Sequence, residues 1–385
     1  MDSGQTILVL GGGFGGLTAA VELRKRLSKQ HHIVLVDRSE RHLFTPSFLW
    51  LITGQRRADK ISRPLERLKR KGIDVIKGEI ERIEPTTHRI VVNGTTLEGD
   101  YLIIALGAEL APETIPGLAE AGHTFYDLAG AEALRTELSR FKTGRLVLLT
   151  ATPAYKCPAA PYEAAMLLEY YFRRRKLRHE VKIDLYAAEP GPMGVAGPEV
   201  SQAVRQMVES RGIVYHPKHQ VVSVDPKAHR LSFSNGTQAE FDLLAYVPPH
   251  RVPRVVRDAG LVGESGWVAV DRHTLITRFE RVFAIGDIAA IPLKLGKPLP
   301  KAGVFAHGEA KVVAKNIARS IMGKGESAEF DGHGGCFIET GDGKAGFGKG
   351  NFYAEPLPDV KLHAVSRSWH IGKILYEKSW LYQWF

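Results

Sequence analysis

The segment TILVLGGGFGG at residues 6–16 constrains the fold of this chain more than any other. An apolar run suited to a buried strand meets a glycine-rich turn, and LTAAVELRKRL (17–27) then repeats its apolar positions at helical spacing. A second apolar run, HIVLVD, ends in Asp37, about twenty residues beyond the last glycine. Strand, tight turn, helix, strand and acid in that order predict a dinucleotide-binding βαβ unit. Gly11 permits the turn, Gly13 lets backbone N–H groups approach a pyrophosphate at the helix N-terminus, Gly16 lets the helix pack on the strand, and Asp37 suits a ribose diol. A glycine-rich turn without a ligand is the rival reading, and the surrounding order argues against it.

The unit has a degenerate second copy. Residues 80–103 read IERIEPTTHRIVVNGTTLEGDYLI and residues 221–244 read VVSVDPKAHRLSFSNGTQAEFDLL, so that Pro85, His88, Arg89, Asn93, Gly94, Thr95 and Asp100 match Pro226, His229, Arg230, Asn235, Gly236, Thr237 and Asp242. Each copy predicts a β-meander turning at its Asn-Gly pair, and a period of about 140 residues means two similar domains, not a solenoid. His88 and His229 are then turn residues. By the same shift, the counterpart of GGGFGG falls just after the strand GRLVLLT (144–150), where the chain reads ATPAYKCPAAP. No glycine is present there. The second nucleotide cradle has been abandoned, and Cys157 stands in its place.

With 385 residues, 44% hydrophobic and 24% charged, the chain can build packed cores in two or more domains, which excludes disorder. No apolar stretch approaches the roughly 18 residues of a spanning helix, and residues 1–10 lack the basic segment and cleavage site of a leader. Two cysteines, Cys157 and Cys336, cannot by themselves cage a metal or form a framework of several disulfides. RRRKLR (173–178) reads as a solvated helix end, not a nucleic-acid contact, because no recognition motif accompanies it.

Further segments belong to the first nucleotide. DYLIIALGA (100–108) is a buried strand ending in a turn at Gly107, and RVFAIGDIA (281–289) is a strand ending in Gly286 and Asp287, at the edge where ligands lie in open α/β sheets. KAGVFAHGEAKVVAKNIA (301–318) follows as a helix.

These residues together resemble the flavoproteins with two dinucleotide-binding domains, and among them the sulfide:quinone oxidoreductases, over nearly the whole chain. GGGFGG, LIIALG and FAIGD are similar to three FAD segments shared widely in that superfamily. YKCPAAPYE (155–163) and GGCFIETG (334–341) are similar to the cysteine segments of sulfide:quinone oxidoreductases and of flavocytochrome c sulfide dehydrogenases. Type II NADH dehydrogenases would carry glycines where ATPAYKC stands. Departures exist: a third cysteine of many family members is replaced near Phe125, Tyr126 and Asp127, and a histidine expected after DLYAAEP is missing from GPMGVAG (191–197).

The resemblance implies an α/β fold of two tandem Rossmann-like domains. The FAD-binding domain takes residues 1–110 and 268–325, the second domain 111–267, and a quinone- and membrane-interacting segment 326–385. FAD would contact Gly11, Gly13, Phe14, Gly15, Gly16, Asp37, Pro46, Ile80, Gly107, Gly286, Asp287, Lys301 and Gly303. Hydrosulfide would attack a Cys157–Cys336 disulfide, with Cys336 assigned as the thiol nearer the flavin and Glu163 as proton acceptor or, equally, as a first-turn carboxylate favoured by its helix. Cys157, just before that helix and beside Lys156, is expected to have a lowered pKa. Phe337, Lys373 and Tyr376 resemble a quinone pocket. WLYQWF (380–385), on a chain of net charge +10, is expected to meet anionic lipid at a membrane surface, or else to pack on its own core or on a second copy of the chain. Two other functions stay open: passing electrons to a c-type cytochrome, and binding flavin or polysulfide without turnover.

Overall fold

The computed structural model describes residues 4–385. The first apolar run becomes the strand Thr6–Leu10, at the centre of a five-stranded parallel sheet in the order Val282–Ala284, Tyr101–Ile104, Thr6–Leu10, His32–Asp37, Asp74–Lys77. Strands of this kind are buried on both faces and so read as continuous apolar runs. The second domain repeats the layout in four strands: His123–Thr124, Leu243–Val247, Gly144–Thr150, Val181–Ala187 and Val214–His216 form another parallel sheet, whose edge strand His123–Thr124 comes first in the chain where Val282–Ala284 comes last. Each sheet carries an antiparallel three-stranded meander, Ile80–Glu84 with Arg89–Val92 and Thr95–Glu98 in one, Val221–Asp225 with Arg230–Phe233 and Gln238–Glu240 in the other. The duplication predicted from sequence is therefore present in four strands of each sheet and in the meander. His88 and His229 sit in turns at positive φ, 53° and 49°.

After the second domain the chain returns to the first sheet and enters the helix Gly303–Met322, which packs along the helix Phe14–Arg26. Residues 333–366 then form an antiparallel sheet of His333–Gly341, Lys344–Asn351 and Asp359–Ser366. A final helix, Arg367–Gln383, is capped by Ser366, whose side chain accepts from the Trp369 N–H. Among the described residues no helix is long and apolar enough to cross a membrane.

The final helix corrects one expectation. Its buried stripe is Lys373, Glu377, Trp380, Leu381 and Trp384, at the spacing of one helix face. Trp380 is 2% exposed and lies 4.5 Å, centroid to centroid, from Phe14 in the first glycine turn, so these aromatics are core and not a lipid anchor. Within WLYQWF the fully exposed ring is that of Tyr382; the apolar residues this helix turns outward are Ile371 and Leu375, with Tyr376 partly so. The basic run at 173–178 also proves to be tied down: Arg173 donates to Glu169 and Asp342, and Arg178 to the Val181 and Gly212 carbonyls.

Candidate active site

Two glycines make the first turn possible. Gly11 has φ 104°, and a Cβ there would lie 2.4 Å from the Ala105 carbonyl oxygen; a Cβ at Gly16 would lie 1.8 Å from the Gly11 oxygen. Gly13 faces open space and caps the helix Phe14–Arg26 with no side-chain bond, so the first N–H groups of that helix are free for an anion. The helix Gly303–Met322 likewise begins without a side-chain cap or an acid in its first turn. Asp37, at the end of its strand, accepts from the Gly12 N–H at 2.5 Å and the Ser39 N–H at 2.6 Å.

A cavity of about 280 Å³ opens onto this turn. Its walls include Gly13, Phe14, Gly15, Pro46, Gly107, Gly286, Asp287, Lys301 and Gly303 from the sequence-predicted cofactor set, and also Cys157 and Glu163. Gly11, Gly16 and Asp37 lie behind it and shape the turn. Ile80 does not line it either: its side chain is packed in the core with Leu10 and Val36. Two uncapped helix ends over a glycine floor, with a strand-end acid at Asp287, fit a flavin dinucleotide. Lys301, which donates to the Asp287 and Ala289 carbonyls at 2.7 and 3.0 Å, is lowered to about 8 by burial.

The abandoned cradle is closed by side chains. Glu189, just past the strand Val181–Ala187 as Asp37 ends the equivalent strand of the first sheet, accepts from Thr150 at 2.7 Å, from Tyr162 at 2.6 Å and from Tyr155. The acid that would meet a ribose is thus occupied by tyrosines, one of them in the loop that replaced the glycines.

That loop holds Cys157 at φ 52°, with its N–H donating to the Lys301 carbonyl at 2.6 Å and its own carbonyl accepting from the Tyr126 hydroxyl at 3.1 Å. Cys336 arrives on the strand His333–Gly341. Both are free thiols, and both line a second, largely apolar cavity of about 640 Å³. Cys157 lines both cavities and Cys336 the second alone, so these walls give no support to Cys336 as the thiol nearer the cofactor.

The expected acidic thiol is not found. Burial and then the Glu163 carboxylate push both cysteines upward, Cys336 to about 12, while the Lys373 ammonium pulls the other way. Lys156, expected to help, is not among the main influences on the sulfur; with burial ahead of it, it is the foremost charge that depresses His250, to about 3. Cys157 also stands three residues short of Ala160, the first residue of the helix Ala160–Arg174, too far out for the helix end to offset burial.

Glu163, in the first turn of that helix, accepts from Lys373 Nζ at 2.7 Å and from the Glu339 N–H at 2.8 Å. This buried ion pair joins the cysteine helix to the final helix. Lys373 is 4% exposed, and its ammonium lies 4.9 Å from the Trp50 ring centroid. The rings of Phe337 and Tyr376 are 6.5 Å apart, and Lys373 lies one turn before Tyr376 on the final helix; none of the three lines either cavity. Several contributors escaped sequence reading. Tyr126 holds the Cys157 loop, the buried Glu339 pairs with the partly exposed His370, and Glu377 binds Ser47 and Arg56. His42, lowered to about 4 by burial, donates through Nδ1 to the Gly12 carbonyl and accepts from Trp380 Nε1 at 3.0 Å, which ties the final helix to the glycine turn.

Against known proteins, residues 5–310 match the model of the pyridine nucleotide-disulphide oxidoreductases. The chain belongs to that family. It is an oxidoreductase, and its family implies a flavin. Within the family it is similar to the sulfide-quinone reductase of Aquifex aeolicus, 28% identical over 98% of this chain and 90% of that one. The mitochondrial sulfide:quinone oxidoreductase of Mus musculus is 25% identical over 91% of this chain and 79% of its own. The crystal structure of the sulfide:quinone oxidoreductase from Aquifex aeolicus superposes with a TM-score of 0.89 at 26% identity, covering 99% of this chain and 91% of that one. The type II NADH:quinone oxidoreductase of Staphylococcus aureus is more distant, at 24% over 84% of each chain.

Proposed function

We propose that this chain oxidises hydrosulfide to sulfane sulfur through Cys157 and Cys336 and delivers the two electrons, by way of FAD, to a membrane quinone. The observation that carries the reading is the meeting of two cysteines, far apart in sequence, on the wall of one apolar cavity, with one of them also lining the cleft of the glycine turn. In the oxidised protein the two sulfurs would be bonded to each other. Hydrosulfide sulfur attacks one of them, the S–S bond breaks, and a persulfide remains on one cysteine and a thiolate on the other. Because burial and Glu163 oppose that thiolate, the Lys373 ammonium is the group that stabilises it. The second cavity offers the persulfide a largely apolar wall while sulfur is transferred. FAD, when bound, would supply the two-electron carrier between sulfur and quinone. Phe337 and Tyr376 offer aromatic faces to the quinone ring, and Ile371, Leu375 and Tyr382 offer the final helix an apolar footing on an anionic membrane surface.

The test is anaerobic addition of sulfide to the purified flavin-loaded protein, followed by decylubiquinone. Bleaching of the flavin by sulfide and its return with quinone are expected. A flavin that sulfide leaves oxidised, or one that returns faster with a c-type cytochrome than with any quinone, would overturn this reading.

A further inference from the structure

Beside the two cysteines lies more buried charge than sulfur exchange requires. Lys373 Nζ is bound to Glu163, and the same Glu163 oxygen takes the Glu339 N–H. The Glu339 carboxylate, on a residue 1% exposed, is held by His370 Nδ1 at 2.9 and 3.0 Å. His370, with 21% of its side chain exposed, is the member of this chain of contacts that reaches solvent. The other groups facing the cluster are Trp50, whose ring meets His370 edge-on at 5.9 Å and lies beneath Lys373, Arg56 above Trp50, the Cys157 thiol near Lys373 and the Cys336 thiol near Lys373 and Glu163. Two buried carboxylates face one buried ammonium, so the cluster is neutral only with one further proton on the Glu339–His370 pair.

We propose that His370 and Glu339 are the inlet through which the proton consumed at the quinone reaches Lys373. The proposal rests on the quinone reading of Phe337, Lys373 and Tyr376. Hydrosulfide gives up two electrons and one proton, whereas a quinone takes two electrons and two protons. Each turnover therefore draws one proton from solvent, in the balance HS⁻ + Q + H⁺ → S⁰ + QH₂. When an N–H of Lys373 breaks as the quinone O–H forms, the neutral amine is left without solvent contact and must be reprotonated from inside. Glu339 is the second carboxylate acting on it, and His370 connects that carboxylate to the surface. No hydrogen bond joins Glu339 to the ammonium directly, so the last transfer runs through rotation of the carboxyl.

The test separates the two half-reactions in stopped flow with flavin-loaded protein, using His370→Ala and Glu339→Gln. Sulfide should bleach the flavin in both variants, whereas decylubiquinone should reoxidise it about 100-fold more slowly than in the parent, the lower range of a lost proton-transfer group. Free imidazole should restore the His370→Ala rate, and the solvent isotope effect on reoxidation should rise in both. Without turnover, the ¹⁵N resonance of His370 Nδ1 should move in Glu339→Gln. Reoxidation at the parental rate in His370→Ala, or a slow rate that imidazole leaves unchanged, overturns the inlet. A parent protein that sulfide does not bleach, or that quinone does not reoxidise, instead overturns the function reading and the inlet with it.

Discussion

Replacing Lys373 by methionine should cost the fold about 3–5 kcal/mol, because it breaks an ion pair whose two side chains are each 5% exposed and whose N–O distance is 2.7 Å. Methionine fills much the same volume but leaves Glu163 buried beside a second carboxylate, Glu339, with the Glu339 N–H as its remaining donor. By comparison, Arg254–Asp258 is an exposed pair, 84% and 57%, and Arg254→Ala should cost under about 1 kcal/mol. Guanidinium unfolding of parent, Lys373→Met, Glu163→Gln and the double variant gives the coupling directly, and the double variant should recover at least about 2 kcal/mol relative to the sum of the singles. The pH dependence has a definite sign. Burial alone would lower the Lys373 pKa, but Glu163 and Glu339 outweigh it and hold it above 10.5. The contribution of the pair is therefore complete below about pH 10.5 and is lost as pH rises through the folded value. A Lys373→Met cost below about 1 kcal/mol at pH 7, or strictly additive singles, would refute the reasoning.

Other outcomes follow from the same contacts. Alkylation of reduced Cys336 by iodoacetamide should be slow at neutral pH and rise about tenfold per pH unit toward 12, and a plateau near pH 8 would contradict the burial argument. Trp380→Ala should lower stability by about 3–5 kcal/mol and loosen the flavin, as flavin fluorescence during dilution would report, because its ring packs on Phe14 and its N–H on His42. Ile371→Asp with Leu375→Asp should weaken sedimentation with anionic liposomes and leave flavin retention unchanged; liposome binding equal to that of the parent would remove this face from the membrane account. Anaerobic NADH should leave the flavin absorbance unchanged for many minutes, since Tyr155 and Tyr162 occupy Glu189, and fast bleaching would show that the second domain still takes the nucleotide.

The duplicated frame was readable because its signals are local. A glycine turn needs glycine at the residue where the backbone closes, as Gly11 and Gly16 show, and the meanders announce themselves by their Asn-Gly pairs. The replacement of the second cradle was visible for the same reason. The thiol chemistry was misread because sequence neighbours stood in for spatial ones: Lys156 is adjacent in the chain, yet Glu163 and Lys373 set the field at the sulfur. The aromatic tail left both a lipid and a core reading open because Lys373 and Glu377 share its buried stripe and disguise a core face as a surface one. Nothing local marks Glu339 or His370, whose partners come from a strand and a helix that only the final sheet brings together. Phe337 and Glu339 point to one side of their strand and Cys336 to the other, so one short segment would serve both the proposed quinone side and the proposed sulfur side.

The most direct test of the central claim is single-turnover bleaching of the flavin by hydrosulfide in the parent, Cys157→Ala and Cys336→Ala proteins, each carrying its flavin. Rapid bleaching in the parent and its loss in both variants, with flavin content unchanged, is the expected result. Bleaching at the parental rate in either alanine variant would show that sulfide reaches the flavin without the cysteine pair and would contradict the account.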